Sequence, residues 1–460
     1  MRDFLSQLKR LILIVGDIVL LYLTLWIALL LRYQGEPSTS LWQLHFWPFT
    51  VVFLLWLAGF YIAGLYDHRL AKSDINFYTN ALRTILINAG IAVLFFYIFN
   101  NRLFSIRPQV VFGIFVGVYA ILFLLWRRFY NQMVASATFL QNVLFIADGD
   151  ELDELSQELY KKPYLGYKVV DTIRLNGQLK LGENNSEQKN MVDLKQELAK
   201  KNVHAVVTSL SLHHHPEIVA QFFENLSSGV SYFDMPKFYE RLMGKVPVST
   251  IGQLWFLENI TENEKRFYEV SKRVFDILGA IVFGIVGIVL TPFIALVIKL
   301  DSRGPVVFKQ RRVGKFGKTF LAMKFRSMRT DAENTGPQWT QFKDPRITGV
   351  GRFLRKTKLD EIPQLINILR GEMSFIGPRP EQPEFVDTLT QKLPYYRERH
   401  LVNPGLTGWA QIHLPYASAS VEDTTVKLQY DLYYIKNRSF LLDVGIILKT
   451  INTVLSRQSR

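Results

Sequence analysis

Four long apolar runs stand in the first part of the chain, each close to the roughly 20 residues that an α-helix needs to cross a bilayer. They cover residues 11–31, 47–66, 84–99 with its flanks, and 108–126. Arg2, Lys9 and Arg10 precede the first run, and Arg127 and Arg128 follow the fourth. Because cationic flanks stay on the cytoplasmic side, residues 1–130 are predicted to form four transmembrane helices with both ends inside.

Short apolar runs alternate with polar helical stretches in residues 131–250. The predicted strands are 142–147, 168–170 and 204–208, with a helix at 151–160 between the first two. This alternation is typical of a Rossmann-like α/β domain. The turn after the first strand contains one glycine and the acids Asp148, Asp150 and Glu151. A dinucleotide turn needs several glycines and no negative charge. We therefore expect a cytoplasmic domain without a cofactor fingerprint, with a structural or regulatory role.

A fifth apolar run, residues 277–298, carries no charge, yet lysines and arginines flank it on both sides. Two cationic flanks favour keeping both ends on the cytoplasmic face. Thr291 and Pro292 offer a solution, because proline interrupts the helical ladder and a threonine hydroxyl can satisfy a freed carbonyl. The sequence predicts a re-entrant helix–break–helix over 270–300. An ordinary fifth span with a kink is the alternative.

The amino-acid composition limits the kinds of site and partner that the chain can have. The 460 residues carry a net charge of +14 and no cysteine. The missing thiols exclude disulfides, thiolate metal sites and a cysteine nucleophile. A basic balance suits nucleic acid, anionic lipid or phosphorylated substrates. The cations cluster beside apolar segments, so we expect lipid and phosphate partners and no nucleic acid.

The basic C-terminal third contains two adjacent acids, Asp360 and Glu361. Asp360 is predicted to lie at a helix N-cap, with Pro363 in the first turn. The helix dipole and nearby arginines would keep such a carboxylate ionised. An ionised carboxylate can attack phosphorus or bind magnesium, although an aspartate at this position is often only a cap.

Cations upstream and rigid loops downstream frame these acids. Lys324 and Arg326 alternate in a predicted strand, which would place both on one face as phosphate contacts. The turn 377–381 contains Arg379 and Glu381, and the loop 404–411 is rich in glycine. Glycine and proline at these positions predict close approach of backbone to a ligand.

With these motifs in order, residues 265–460 closely resemble the bacterial sugar transferase family, the monotopic polyprenyl-phosphate phosphoglycosyl transferases. The whole chain looks like the large form, in which four spans and a Rossmann-like domain precede a mostly helical catalytic domain. The matching segments are the helix with Thr291-Pro292 and the runs 299–305, 324–328, 344–348, 359–364, 377–381 and 404–408.

The resemblance implies a mechanism at the bacterial inner membrane. Asp360 would attack the sugar-bearing phosphate of a UDP-sugar, releasing UMP, and undecaprenyl phosphate would then take the phosphosugar from the enzyme. Glu361 would assist, Mg²⁺ would neutralise the diphosphate with Asp360 as a ligand, and Arg355 would support the two acids. The further substrate-binding candidates are Lys324, Arg326, Arg379 and Glu381. A cytoplasmic active site, a role in exopolysaccharide, capsule or O-antigen synthesis, and a homodimer are also expectations from the resemblance.

Two departures leave the sugar open. The segment 412–416 differs from the pattern common after Gln411, and Asn403 stands where a basic residue is usual. A membrane-anchored nucleotide-sugar dehydratase is one alternative, since Tyr164 and Lys168 have its Tyr-x-x-x-Lys spacing, although its glycine-rich turn is missing. A non-catalytic scaffold for polysaccharide export is the other, and would predict a degenerate site.

Overall fold

The computed structural model of the chain divides into two compact units, residues Met1–Met235 and Pro236–Arg460. It describes residues 2–35, 38–66, 75–103, 109–135, 140–147, 150–162, 165–173, 198, 200–209, 220, 222–223, 229–260, 265–330, 332, 344–414 and 420–455. Asp148, in the predicted phosphate turn, and Tyr164, of the dehydratase spacing, lie outside the described residues.

The first unit begins with four long helices, as the apolar runs predicted. Their bounds are α1 Arg2–Tyr33, α2 Thr39–Ile62, α3 Ile75–Leu103 and α4 Gln109–Ala135. Each contains a segment long and apolar enough to cross a membrane by length and composition. Aromatic rings fill their common core, where Trp56, Phe115 and Tyr119 are fully buried. The apolar helices support a membrane protein.

One ion pair joins the first of these helices to the last. Arg127 Nη2 donates to Asp17 Oδ2 at 2.6 Å, and both side chains are buried. Arg127 Nη1 also donates to the carbonyl of Leu65. Removing one partner of a buried pair leaves an uncompensated charge. The pair therefore holds α1 against α4 in a single register.

The predicted parallel sheet is present in the same unit. Its strands are β1 Gln141–Ile146, β2 Tyr167–Ile173, β3 Ala205–Thr208 and β4 Ser231–Asp234, with α5 Asp150–Lys161 after the first strand. The order across the sheet is β2-β1-β3-β4, and every described pairing is parallel. Strand β3 is buried along its whole length, as expected where a sheet is covered on both faces.

The second unit is mostly helical with two small pairs of strands. Its helices are α6 Met235–Met243, α7 Gln253–Asn259, α8 Arg266–Asp301, α9 Gly349–Thr357, α10 Gln364–Arg370, α11 Pro383–Lys392, α12 Trp409–His413, α13 Val421–Asn437 and α14 Phe440–Leu455. The strands are β5 Val307–Val313, β6 Thr319–Phe325, β7 Ser374–Ile376 and β8 Gly405–Thr407, and shorter 3-10 turns cover Lys315–Gly317, Leu359–Glu361 and Tyr396–Leu401. Strands β5 and β6 pair antiparallel, and β7 and β8 pair parallel.

The long helix α8 contains the fifth apolar run, and it corrects one prediction. All residues from Arg266 to Asp301 are helical, so no non-helical break interrupts the chain at Pro292. Thr291 Oγ1 donates to the carbonyl of Gly287 at 2.7 Å, whereas the carbonyl that Pro292 leaves without a backbone donor is that of Ile288, four residues before it. Whether the helix returns to the face it entered from stays a prediction.

Helix α8 contacts the rest of its unit along most of its length. Near its start, Asp276 accepts hydrogen bonds from Ser374 Oγ and from the backbone N–H of Phe375, both at 3.1 Å. In its middle, Gly287 lies against Ile362. Its last residue, Asp301, accepts a bond from the backbone N–H of Val350. One narrow seam therefore packs inward, while most of the apolar side chains face outward.

Close backbone packing sets the start of α9. A Cβ added at Gly351 would lie 2.0 Å from the carbonyl oxygen of Ser327, whereas one at Gly349 would meet only Asp301 Oδ1 at 3.6 Å. We expect Gly351→Ala to lower the free energy of unfolding by about 1–3 kcal/mol, the usual range for overpacking. Gly349→Ala, the matched control in the same turn, should change it by less than about 0.5 kcal/mol. The thermal midpoints of the two variants in detergent, which fall as the free energy of unfolding falls, test this difference. Equal midpoints for Gly351→Ala and Gly349→Ala would contradict the close packing at Gly351.

Candidate active site

The acidic pair lies in a 3-10 turn, Leu359–Glu361, between α9 and α10. Lys358 has a left-handed backbone (φ 60°) and ends α9. This reversal corrects the predicted N-cap, because Asp360 lies inside the turn and Pro363 is the residue that precedes α10. The turn directs Asp360 inward, where the residue is 6% exposed.

Asp360 is buried without a hydrogen-bond donor. Its Oδ1 has no partner among the described residues. Burial, together with the neighbouring charge of Glu361, raises the pKa of the Asp360 carboxyl, although Lys324, Arg355 and Lys358 oppose the rise. The predicted effect of the cations is therefore present but is outweighed by desolvation. The group is a poorly solvated carboxylate facing positive charge.

Glu361 has the opposite environment. Its Oε1 accepts hydrogen bonds from Lys324 Nζ at 3.2 Å and from Arg379 Nη2 at 3.0 Å. Burial acts to raise the pKa of Glu361, but Lys324, Arg379 and Lys358 outweigh it and hold the pKa well below its usual range. The pKa values of the two acids are therefore shifted in opposite directions. As pH falls, Asp360 is protonated before Glu361.

Lys324 reaches the site from strand β6. Burial, opposed by Glu361 and aided by Arg379, lowers the pKa of its ammonium group to about 8. Asn367, fully buried in α10, fixes the strand beside it. Its Oδ1 accepts from the backbone N–H of Met323 at 3.1 Å, and its Nδ2 donates to the carbonyl of Leu321 at 2.8 Å. The sequence analysis missed Asn367, whose only signal is an amide inside an apolar stretch.

Arg355 lies at the end of α9 on the Asp360 side of the site. Its Nε donates to Ser327 Oγ at 2.8 Å, and its charge lowers the pKa of Asp360. Burial in turn lowers the pKa of the Arg355 guanidinium itself. Ser327, which was not predicted, orients the side chain.

Two predicted substrate contacts lie elsewhere. Arg326 is buried and donates to the carbonyls of Ser302 at 2.6 Å and Ile298 at 3.4 Å, so it satisfies the C-terminal end of α8. Glu381 accepts from Lys427 and, at 3.5 Å, from Arg312. In the described part of the chain, neither residue forms a hydrogen bond or ion pair with Asp360 or Glu361. The substrate-binding roles of Arg326 and Glu381 stay predictions.

The turn 377–381 and the glycine-rich loop 404–411 pack against each other. A Cβ at Gly405 would lie 2.1 Å from the backbone N of Gly377. This contact places the turn that presents Arg379, and Arg399 secures it by donating to the Arg379 carbonyl at 3.0 Å. Arg399 is itself buried in an ion pair with Asp431 at 2.7 Å. The loops therefore build the support for Arg379.

Comparisons with known proteins place the chain in a family. The family model described as Bacterial sugar transferase matches residues 267–457. A relative from Xanthomonas campestris pv. campestris, named UDP-glucose:undecaprenyl-phosphate glucose-1-phosphate transferase, is 31% identical over 351 residues, covering 73% of this chain and 71% of the relative. The chain belongs to the bacterial sugar transferase family.

Two other relatives of this bacterial sugar transferase match shorter stretches of the chain at higher identity. An Aeromonas hydrophila protein, named UDP-N-acetylgalactosamine-undecaprenyl-phosphate N-acetylgalactosaminephosphotransferase, is 48% identical over 189 residues, or 41% of this chain. A Komagataeibacter xylinus protein, named undecaprenyl-phosphate glucose phosphotransferase, is 42% identical over 187 residues, or 40% of this chain. The matches span 44% and 35% of those two relatives, less than half of their lengths.

A second family model, described as CoA-binding domain, matches residues 61–228 of the transferase. The match covers strands β1, β2 and β3 and the acidic residues that follow β1 in the sequence, and ends before β4. That this stretch lacks a cofactor fingerprint stays a prediction.

The residues of the site fit a divalent cation bound together with a substrate. Magnesium in phosphate-transfer sites takes one or two carboxylates, with the remaining ligands from phosphate and water. Asp360 offers an unpartnered buried oxygen, and Glu361 is engaged through Oε1. No cluster of three or more metal-ligating side chains occurs among the described residues. The donor set therefore suits an ion that arrives with a diphosphate.

Proposed function

We propose that this family member transfers a sugar 1-phosphate from a UDP-sugar to undecaprenyl phosphate, with UMP as the other product. The observation that carries the proposal is the split between the two acids. The buried Asp360 carboxylate has an oxygen, Oδ1, without a hydrogen-bond donor among the described residues, whereas Oε1 of Glu361 beside it accepts from two cations. A desolvated, unbonded carboxylate among cations is suited to attack phosphorus.

The reaction would proceed in two displacements at one phosphorus atom. An Asp360 oxygen bonds to the phosphorus that carries the sugar, and the bond from that phosphorus to the bridging oxygen breaks, so that UMP leaves with the electron pair. An oxygen of undecaprenyl phosphate then attacks the same phosphorus. The aspartyl–phosphorus bond breaks, which regenerates the Asp360 carboxylate and yields an undecaprenyl-diphosphate sugar.

The cations of the site would serve these steps by electrostatic stabilisation, the main contribution a protein makes to phosphoryl transfer. Lys324 and Arg379 are held on Glu361 at 3.2 and 3.0 Å, so they can face the diphosphate without being drawn onto Asp360. The lowered pKa of Glu361 makes it a weak proton acceptor at neutral pH. Its assisting role is therefore to position charge rather than to take the acceptor's proton.

A magnesium ion, held by Asp360 and by Glu361 with the donor's phosphates, would neutralise charge on the leaving group. Asp360 has the free oxygen for this. The protein's own residues then orient the donor and hold Asp360 in line with the phosphorus.

The packing of α8 supports a membrane location for the site. The first half of α8 contacts Ser374 and its last residue contacts Val350. Ser374 and Val350 belong to the same compact unit, which carries many charged side chains. A straight crossing would require that unit to extend through the bilayer, where charges are costly. We therefore propose a shallow, re-entrant insertion from the cytoplasmic face of the inner membrane. The site would then meet a soluble UDP-sugar and a lipid acceptor together.

The sugar and the pathway stay open, because relatives are named for both N-acetylgalactosamine and glucose. Synthesis of exopolysaccharide, capsule or O-antigen is the proposed setting. The dehydratase and scaffold alternatives gain no support from the site, since the dyad and its cations are assembled around Asp360.

Replacing the proposed nucleophile should abolish the first displacement. We expect Asp360→Asn to reduce UMP release from UDP-sugars, with magnesium and undecaprenyl phosphate present, on the order of 10³-fold or more. Its thermal midpoint should be unchanged or higher, because a buried charge is removed. Asp301→Asn is the matched control, since an amide oxygen can still accept from Val350, and should retain activity. Substantial UMP release by Asp360→Asn would contradict the role of Asp360.

The pH profile should depend on Lys324. Burial lowers the Lys324 pKa to about 8, so its charge is present below that pH and lost as pH rises through it. The activity of the native protein should therefore fall on the alkaline side near this value. Lys324→Arg keeps its charge and should move the fall to higher pH, whereas Lys318→Arg, an exposed control, should not. A profile unchanged in Lys324→Arg would exclude Lys324 as the titrating group.

The proposed topology can be tested by labelling, because the native chain has no cysteine. Single cysteines at Glu258 and Lys318, both exposed, flank α8. A membrane-impermeant maleimide should label both from the cytoplasmic face, using inverted vesicles and intact spheroplasts for comparison. A cysteine at Ser38, an exposed residue between the first two spans, is the control for the outer face. Labelling of Glu258→Cys and Lys318→Cys from opposite faces would establish a full crossing.

A further inference from the structure

Lys358, directly before the dyad turn, has a backbone conformation that lysine rarely adopts. Its φ is 60° and its ψ is 12°, in the left-handed region that glycine occupies without a steric penalty. Two backbone hydrogen bonds fix this conformation. The N–H of Lys358 donates to the carbonyl of Arg355 at 3.2 Å, and its carbonyl accepts from the N–H of Glu361 at 3.2 Å. Residues in such strained conformations concentrate at functional sites, so a lysine in place of glycine here indicates a role for its side chain.

The side chain of Lys358 is exposed, and among the described residues it forms no hydrogen bond or ion pair. The neighbouring cations each donate to a side chain of the protein. These bonds join Lys324 and Arg379 to Glu361, and Arg355 to Ser327. Burial acts to raise the pKa of both acids of the dyad, and the charge of Lys358 acts against it in both. In the described part of the chain, Lys358 is thus a cation of the site that is available to an incoming anion.

The segment around Lys358 lies against the long apolar helix α8. Leu354, about one turn earlier, and Leu359, the next residue, both pack in an apolar cluster with Ile294 and Ile298 of α8. The same part of α8 also exposes large apolar side chains, namely those of Phe293, Leu296 and Leu300. An exposed lysine beside such a surface can lay its methylene chain on apolar groups and keep its ammonium group in the polar layer. Lys358 therefore lies on the side of the site from which a lipid would approach.

We propose that Lys358 binds the phosphate group of the polyprenyl acceptor at the second displacement. A phosphate monoester carries about 1.5 to 2 negative charges at pH 7, and the apolar tail of the acceptor would lie in the lipid around α8. Because Lys324 and Arg379 serve the diphosphate of the donor in the proposed reaction, Lys358 is left for the second anionic substrate. The inference rests on the proposed function for the reaction, but binding of a lipid phosphate by Lys358 needs no sugar nucleotide.

Steady-state kinetics separate the two substrates. Lys358→Asn removes the charge with a residue that tolerates the left-handed conformation. We expect it to raise the KM for undecaprenyl phosphate roughly tenfold to a hundredfold, the effect of one lost hydrogen bond to a charged group. The KM for UDP-sugar, and the single turnover of UMP release without acceptor, should stay within about twofold of the native values. Lys358→Arg keeps the charge and should stay close to the native protein in every value.

Lys356→Asn is the matched control, because it removes another exposed cation two residues earlier on α9. Both KM values should be unchanged in this variant. An equal rise in the KM for undecaprenyl phosphate in Lys356→Asn would reduce the effect to a general attraction between charges and overturn the proposal. A raised KM for UDP-sugar in Lys358→Asn, with a native KM for undecaprenyl phosphate, would also overturn it by making Lys358 a contact of the donor.

Thermal stabilisation by a ligand tests the binding without any reaction. The probes are farnesyl phosphate, a short lipid phosphate, and farnesol, its neutral counterpart, added to the detergent-solubilised full chain at one fixed pH. We expect farnesyl phosphate to raise the thermal midpoint more than farnesol does in the native protein, in Lys358→Arg and in Lys356→Asn. This difference should be lost in Lys358→Asn.

The two experiments have distinct failures. A native difference between the two probes in Lys358→Asn would overturn the proposal, and so would the absence of any difference in the native protein. If the native protein released no UMP from any UDP-sugar, the proposed function would fail. The comparison of farnesyl phosphate with farnesol would still decide whether Lys358 binds a lipid phosphate.

Discussion

The contact between the dyad turn and helix α8 is the constraint on which the rest of the site depends. Ile362 directly follows the two acids and packs against Gly287, where a Cβ would approach its Cγ2 to 2.9 Å. Ile362 also contacts both apolar clusters that line α8. The depth of the acids is therefore set by the most apolar helix of the second unit. A site built this way lies at a fixed level relative to whatever lipid surrounds that helix.

The surrounding charges then give the adjacent acids Asp360 and Glu361 different pKa values and different roles. Glu361 takes the hydrogen bonds of Lys324 and Arg379, and its charge, next to a desolvated Asp360, raises the pKa of the latter. Pairs of acids whose environments separate their pKa values are typical of catalytic sites. Arg399 and Asp431 support this division from a distance, because they hold the turn that carries Arg379.

Local patterns in the sequence predicted the elements that depend on local physics. Long apolar runs predicted four helices, and the short apolar run 142–147 predicted a strand, which the structure has at Gln141–Ile146. That the four helices span a membrane stays a prediction. The N-cap at Asp360 was wrong because Lys358 adopts a left-handed conformation that glycine usually provides. No spacing rule indicated that Arg326, one residue beyond the end of β6, would donate to the carbonyls of Ser302 and Ile298, and its substrate-binding role stays a prediction.

Long-range partners could not be predicted from the sequence alone. Asn367 and Ser327 act through hydrogen bonds to residues far away in the chain, and no spacing rule indicates them.

The most direct test of Asp360 as the nucleophile is mass spectrometry of the detergent-solubilised protein after brief exposure to a UDP-sugar and magnesium without acceptor. The account predicts an added mass of one sugar phosphate, mapped by fragmentation to Asp360 and removed by undecaprenyl phosphate. An adduct on Glu361, or UMP formation that requires the acceptor and leaves the protein mass unchanged, would contradict it.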